Sequence, residues 1–185
     1  IFSSEEMEPL DPGASAVLRG ELPGETGASH FAVLIAGWCT VLSRWTGAQG
    51  VVCGVPFNGR DLPAVRELMG CLANPLPVVV HVDGGATFEE VVQATRQVLV
   101  GALKHSSVSY LSLLERLGPD SSAAFQVSAV WSPAELREVQ LKESRLVPVP
   151  PPAKWTGPKK TAMQLVLFEE NGRLCARLVY ASQMY

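Results

Sequence analysis

The stretch between residues 29 and 103 constrains the fold most, because its pattern alternates between helix and strand signals. Its first part has Ser29 as a candidate N-cap and Gly47 as a candidate C-terminal stop. Between them, apolar side chains cover most of a helical circumference: Phe31, Leu34, Ile35, Trp38, Cys39, Val41, Leu42 and Trp45. A helix that is apolar on several sides is buried on several sides. We therefore expect a core helix from Ser29 to about Trp45.

The segments that follow predict two strands and a second helix. Val51–Val55 and Pro77–Val82 are short β-branched runs bounded by Gly or Pro, which is typical of buried strands. Thr87 and Glu90 then form a T-x-x-E capping box in front of apolar residues that recur at helical spacing as far as Leu103.

The remaining segments also alternate between strand and helix. The predicted strands are Ala14–Leu22, Ala123–Trp131, Met163–Phe168 and Leu174–Tyr180, the last two joined by an Asn171-Gly172 turn. Short helices are predicted from Ser109 to Leu117 and from Ser132 onward. This interleaving favours the α/β class, as a single layered lobe with a mixed β-sheet and packed helices.

Composition and charge exclude several classes of protein. The chain has 185 residues, 47% of them hydrophobic and 18% charged, which fits one packed domain rather than a disordered segment. A net charge of −3 gives no reason to expect nucleic acid or a membrane surface as a partner. The longest apolar run, Ala32–Leu42, is too short to span a bilayer. Because the chain begins with Ile1, we expect it to be a piece of a longer polypeptide.

The cysteines predict neither a metal site nor a disulfide framework. Cys39, Cys53, Cys71 and Cys175 all have apolar neighbours and none has CxxC spacing. We expect buried free thiols in a reduced cytoplasm. The sequence also contains no GxSxG, P-loop, GxGxxG or HExxH motif, so hydrolase, nucleotide-binding and zinc functions have no motif support.

Five sequence phrases occur in the order known from one family. They are VLSRWTG ending at Gly47, VVCGVPFNGR ending at Arg60, GCLANPLP at 70–77, the stretch from Thr87 to Glu115, and FQV from Phe125. Together they resemble the C-terminal lobe of a nonribosomal peptide synthetase condensation domain, of the chloramphenicol acetyltransferase-like superfamily. The resemblance covers nearly the whole chain, and it predicts an extension or linker at residues 1–14 and the lobe at residues 15–185.

The resemblance implies a fold of two similar lobes arranged in a V. In that family, two carrier proteins bring thioesters on phosphopantetheine arms into a tunnel between the lobes, where the amide forms. The family's HHxxxDG motif lies in the other lobe, and no such string occurs in this sequence. The implied role is to shape the acceptor side and dock neighbours, with no catalytic residue, metal or directly bound cofactor. The implied partners are an N-terminal condensation lobe or a neighbouring synthetase domain, and a peptidyl or acyl carrier protein carrying phosphopantetheine.

The resemblance singles out four residues for the tunnel edge or lobe interface: Asn74, Arg60, Cys71 and His105. The loop from Gly59 to Leu72 would lie near that interface. We also expect an exposed apolar patch around Pro56, Phe57, Met69–Leu72 and Pro148–Trp155.

Each of these residues also has a structural interpretation. Pro75 biases Asn74 away from helical geometry, so we expect Asn74 to bond mainly to backbone within residues 54–78. His105 lies at a helix C-terminus, where a cation interacts favourably with the helix dipole. Cys71 has no His/Asn arrangement that favours a nucleophile over a buried thiol. His81, which follows a strand, is expected to be half-buried, with Asp83 capping a turn.

The sequence leaves three functions open. The first is a lobe of a condensation domain, and the second is a naturally truncated, non-catalytic scaffold domain in an assembly-line synthetase. The third is a stand-alone acyl-transfer superfamily protein that oligomerises.

Overall fold

The computed structural model describes residues 2–6, 11–16, 24, 26–118, 125–132, 138–147, 161–170 and 173–181. Within them, the helices are α1 (Pro12–Ala16), α2 (His30–Thr46), α3 (Phe88–Lys104) and α4 (Tyr110–Leu117), with a 3-10 turn at Pro63–Val65. The strands are β1 (Phe2–Glu6), β2 (Gly50–Phe57), β3 (Asn74–His81), β4 (Val127–Trp131), β5 (Val139–Gln140), β6 (Arg145–Leu146), β7 (Met163–Glu170) and β8 (Arg173–Ala181).

One mixed sheet organises the molecule. Its strand order is β1-β8-β7-β4-β2-β3, and β5 and β6 form a separate two-stranded sheet. The pairs β2–β4 and β4–β7 are parallel, whereas β2–β3, β7–β8 and β1–β8 are antiparallel. The predicted α/β lobe with a mixed sheet and packed helices is confirmed.

Local capping chemistry sets the ends of the long helices. The Ser29 hydroxyl accepts from the Ala32 N–H at 3.2 Å, and Gly47 at φ 73° donates its N–H to the Ser43 carbonyl at 2.8 Å. In α3, the Thr87 hydroxyl accepts from the Glu90 N–H while the Glu90 carboxylate accepts from the Thr87 N–H, which completes the predicted capping box.

The core lies between α2, α3 and one face of the sheet. Its largest fully buried side chains come from both helices and from β2, β3 and β7: Ile35, Leu167, Val33, Val78, Val80, Val92, Thr95, Cys39 and Cys53. A second cluster joins Leu34 of α2 to Leu165, Leu167, Leu174 and Ala176 of the β7–β8 hairpin. Burying each such aliphatic side chain contributes roughly 1.5–3 kcal/mol.

The predicted strand at Ala14–Leu22 is wrong where the structure describes it. Residues 12–16 form α1 instead. The Asp11 carboxylate accepts from the N–H groups of Gly13 and Ala14, and Pro12 supplies the fixed φ that suits a first helical position. The Asp-Pro pair at the start therefore outweighs the apolar alternation. Residues 17–22 lie outside the described part.

Part of the predicted extension or linker, residues 2–6, has regular secondary structure. They form β1, which pairs antiparallel with β8 from Phe2 opposite Ala181 to Glu6 opposite Arg177. An edge strand is stabilised by backbone hydrogen bonds to its one neighbour, so it needs little of the apolar pattern that identifies central strands.

Of the other predicted elements, some are confirmed and some lie outside the residues that the structure describes. The strands of the β7–β8 hairpin, the helix from Ser109 and both β-branched strands are confirmed. The helix after Ser132 and the Asn171-Gly172 turn lie outside the described residues, as does the start of the strand predicted from Ala123. No helix in the described part of the chain is long and apolar enough to cross a membrane.

Candidate functional site

The connection between β2 and β3, residues 58–73, is organised by one guanidinium group. Nη1 of Arg60 donates to the carbonyls of Val65 at 2.9 Å, Arg66 at 3.3 Å and Leu68 at 2.7 Å. Nη2 of Arg60 donates to the Gly70 carbonyl at 2.8 Å. Arginine carries five N–H donors in a fixed planar fork, so one side chain can fix several carbonyls at once. We call residues 58–73 the β2–β3 loop.

The two ends of the β2–β3 loop are held together by close packing. Gly59 has φ +66°, and a Cβ there would lie 2.4 Å from the Leu72 carbonyl oxygen. Next to it, the Asn58 side-chain oxygen accepts from the Arg60 N–H at 3.0 Å, as in an Asx turn. The backbone of the loop is thus fixed at its base and along its length.

The loop presents apolar side chains to solvent. Leu62 is 63% exposed, Leu68 is 53% exposed and Met69 is 102% exposed. Of the predicted apolar patch, Met69 and Pro56 are exposed, Phe57 and Leu72 are partly buried, and Pro148–Trp155 lie outside the described residues. Cys71 is exposed, so its predicted burial is wrong. The neighbours of Cys71 are apolar in sequence, but the Arg60 bonds hold this backbone at the surface.

Asn74 joins the start of β3 to the segment between α3 and α4. Its Nδ2 donates to the carbonyls of Ser106 at 3.0 Å and Val108 at 2.8 Å, and its Oδ1 accepts from the Tyr110 N–H at 3.0 Å. The expectation that Asn74 bonds within residues 54–78 is therefore wrong. All three partners are backbone groups, but they lie 32 to 36 residues further along the chain.

His105 occupies the end of α3, as predicted. This residue is the C-cap of the helix, and its backbone N–H donates to the Ala102 carbonyl at 3.1 Å. Asn74 bonds to Ser106, the residue after His105, and Arg60 binds the carbonyl of Gly70, the residue before Cys71. The four predicted residues thus form two pairs, and no hydrogen bond links one pair to the other in the part of the chain that the structure describes.

An aromatic layer next to Asn74 was not identified as a unit from the sequence. The Phe125 ring lies over the backbone of Gly54, where a Cβ would be 2.1 Å from Cε2 of the ring. Tyr110, whose N–H Asn74 binds, has its ring centroid 5.2 Å from that of Phe125. The sequence signal for this contact is Gly54 itself, because a glycine inside a β-branched strand marks close approach.

Three further ionisable groups lie at or after the end of β3 or in the core. His81, predicted to be half-buried, is exposed, and Asp83 accepts from the Gly85 N–H as the predicted turn cap. A hydrogen bond with Cys39 and burial raise the pKa of the Cys53 thiol, so this thiol stays protonated in the core. Among the described residues, no group of three or more His, Cys, Asp or Glu could hold a metal ion.

A family match covers nearly the whole chain. The condensation-domain family profile matches residues 14–185. The chain belongs to the condensation domains of nonribosomal peptide synthetases.

Individual relatives agree with that assignment. Malpinin synthetase from Mortierella alpina is 25% identical over 169 residues, which cover 89% of this chain and 2% of the synthetase. The first condensation domain of the calcium-dependent antibiotic synthetase, solved with a substrate analogue, has a TM-score of 0.76 at 27% identity, over 100% of this chain and 39% of that one. The X-domain from teicoplanin biosynthesis has the same fold, with a TM-score of 0.83 at 21% identity, and 42% of it is covered. The chain thus spans about two fifths of these solved domains.

Proposed function

We propose that this chain is the C-terminal lobe of a condensation-type domain, which shapes the acceptor side of the tunnel and docks neighbours. One observation carries the proposal: the β2–β3 loop is braced by Arg60 yet exposes Leu62, Leu68 and Met69. Exposed apolar side chains on a rigid backbone are typical of an interface, since little conformational freedom is lost on binding. The match to about two fifths of a solved condensation domain fits a single lobe.

The proposed partner for this surface is the lobe that carries the HHxxxDG motif. Arg60 and Cys71 belong to the β2–β3 loop, and Asn74 and His105 belong to the adjoining segment, so all four would border the interface. The phosphopantetheine of a carrier protein would supply the thioester, and this lobe would contribute a wall of the tunnel without a group that transfers a proton. The free cysteines fit a cytoplasmic location for such a synthetase.

A binding measurement tests the docking surface. The binding partner comes from the first condensation domain of the calcium-dependent antibiotic synthetase. It is the remaining part of that domain, which has no match in this chain, produced as a separate polypeptide. We expect the double variant Leu62→Ser, Leu68→Ser to weaken its binding by about tenfold or more, because two apolar contacts are lost. Val41→Ser is the control, since Val41 is also exposed, at 56%, but belongs to α2 and not to the β2–β3 loop. Equal binding by the loop variant and the control variant would contradict the proposal.

Arg60→Lys tests the role of the brace. A lysine ammonium cannot replace the planar fork that binds four carbonyls, so backbone amides at residues 61–72 should exchange faster by hydrogen–deuterium exchange. The effect on the global melting temperature should be small compared with the increase in the exchange rate of the loop amides. Unchanged exchange in the loop would show that Arg60 does not hold it.

Two other functions remain candidates. A non-catalytic scaffold domain would bind a neighbouring synthetase domain through the same loop but would not support amide formation with any complementary lobe. A stand-alone acyl-transfer protein would rebuild a cleft from copies of itself, so it would turn over thioesters without a second polypeptide.

A further inference from the structure

The outer edge of β3 has backbone carbonyls along its length but N–H donors at only some of its residues. Val82 donates its N–H to the Gln49 carbonyl at 2.8 Å, which fixes the phase of the β2–β3 ladder. Because hydrogen-bonded pairs alternate along an antiparallel ladder, the pairs Val51–Val80 and Cys53–Val78 exchange bonds between the strands. The alternate residues of β3 are Pro75, Pro77, Val79 and His81, and their backbone C=O groups, with any N–H groups, point away from β2.

The prolines agree with this phase and shorten the usable edge. Pro75 and Pro77 stand opposite Pro56 and Gly54 and have no N–H to offer. Val79 and His81 therefore carry the outward-facing donors of the strand. Val79 is 41% exposed and His81 is exposed. The His81 ring packs over Gly50, with its Cε1 3.3 Å from where a Cβ would lie, so the ring covers the sheet and not the edge.

No strand pairs with the outer side of β3 in the part of the chain that the structure describes. The run from Val78 to Val82 is β-branched apart from His81 and has no carboxylate or ammonium group. An open edge of this kind is a template for another strand. Sheets commonly protect such edges with prolines or charged residues, and here only the first half of β3 is protected.

We propose that β3 binds a second copy of this chain, edge to edge and antiparallel, about a two-fold axis at Val80. In that register Val79 of one copy lies opposite His81 of the other, and each such pair exchanges two backbone hydrogen bonds. The register is favoured because both prolines then stand opposite residues beyond His81, where β3 has ended. A register shifted by two residues would place Pro77 opposite His81 and leave a carbonyl without a donor.

The test compares the oligomeric state of this chain and three variants by sedimentation velocity over a range of concentrations. The parent is expected to shift from the monomer mass toward twice that mass. Val79→Pro removes a donor that does not bond to β2 and continues the Pro75–Pro77 pattern, so it should keep the fold and weaken self-association at least about tenfold. Val79→Lys keeps the N–H but places a charge at the edge, and it should weaken association as well. Val79→Thr keeps the donor and the strand propensity and should associate like the parent.

Amide hydrogen exchange supplies a second readout that a change of fold would not imitate. Exchange at Val79 and His81 should slow as concentration rises, while Val78 and Val80 are protected at every concentration because they already bond to β2. A monomer at all concentrations would overturn the proposal. So would a dimer that Val79→Pro and Val79→Lys leave intact, or one in which Val79 and His81 exchange at the monomer rate. All three results leave the proposed lobe function untouched, since they concern β3 and not the β2–β3 loop.

Discussion

At the residue scale, two polar side chains fix backbone that has no regular secondary structure. Arg60 binds carbonyls within its own loop, whereas Asn74 binds backbone more than thirty residues away. The resemblance identified both positions from sequence. It could not identify the partners of Asn74, because a side-chain amide bonds equally well to any backbone that the tertiary structure brings near.

Asn74→Ala tests how much that bridge contributes. The substitution leaves the carbonyls of Ser106 and Val108 and the N–H of Tyr110 without their partner. Losing a buried or partly buried bond costs about 1–3 kcal/mol, which corresponds to a fall in melting temperature of roughly 2–10 °C for a chain of this size. Asn58→Ala, which removes a bond within a turn, is the control and should cost less. If Asn74→Ala has the same melting temperature as the unsubstituted chain, Asn74 does not hold the α3–α4 segment.

Thiol reactivity distinguishes Cys71 from the other cysteines. Cys39, Cys53 and Cys175 are buried, and the raised pKa of Cys53 disfavours its reactive thiolate. In the native state, an aromatic disulfide reagent should therefore label one thiol rapidly and all four after unfolding. Cys71→Ser should abolish the rapid phase. A rapid phase that survives in Cys71→Ser would contradict the placement of this loop at the surface.

At the scale of elements, the sequence predicts best where the signal is local. Ser29 with Gly47, and Thr87 with Glu90, specify helix ends through bonds a few residues long, and both helices were predicted within two residues. Strands depend on pairing partners far along the chain, so β1 gave no signal. The segment from Ala14 was misassigned for a different reason, because the local helix start at Asp11 and Pro12 outweighs its apolar alternation. The packing of Phe125 on Gly54 is of this second kind.

A pair of glycines in β2 tests that packing. Gly54→Ala would place a Cβ 2.1 Å from the Phe125 ring, so the ring must move and the variant should lose about 1–3 kcal/mol of stability, the cost typical of overpacking. Gly50→Ala on the same strand meets only the edge of the exposed His81 ring at 3.3 Å and should be close to neutral. Chemical denaturation of both variants gives the comparison. Equal free energies of unfolding would show that Phe125 does not occupy this position.

At the scale of the whole molecule, the chain has a condensation-domain fold and spans about two fifths of the first condensation domain of the calcium-dependent antibiotic synthetase. The motif order predicted that family from the sequence, because the five phrases fall in chain order on the end of α2, on β2, on the start of β3, on α3 with α4, and on the start of β4. What a lobe of this fold does depends on its interfaces, and these are formed by exposed side chains such as Leu62 and Met69. The exposure of Met69 was expected from the sequence, whereas that of Leu62 was not.

An amide-formation assay distinguishes a lobe that needs a catalytic partner from an independent enzyme. Two carrier proteins loaded with an acyl and an aminoacyl thioester are incubated with this chain, with an HHxxxDG-bearing condensation lobe, or with both, and the products are followed by intact mass. We expect no condensation product from this chain alone, since its sequence contains no HHxxxDG motif. We expect more product from the mixture than from the catalytic lobe alone. Heat-sensitive turnover by this chain alone, or a mixture no more active than the catalytic lobe, would contradict it.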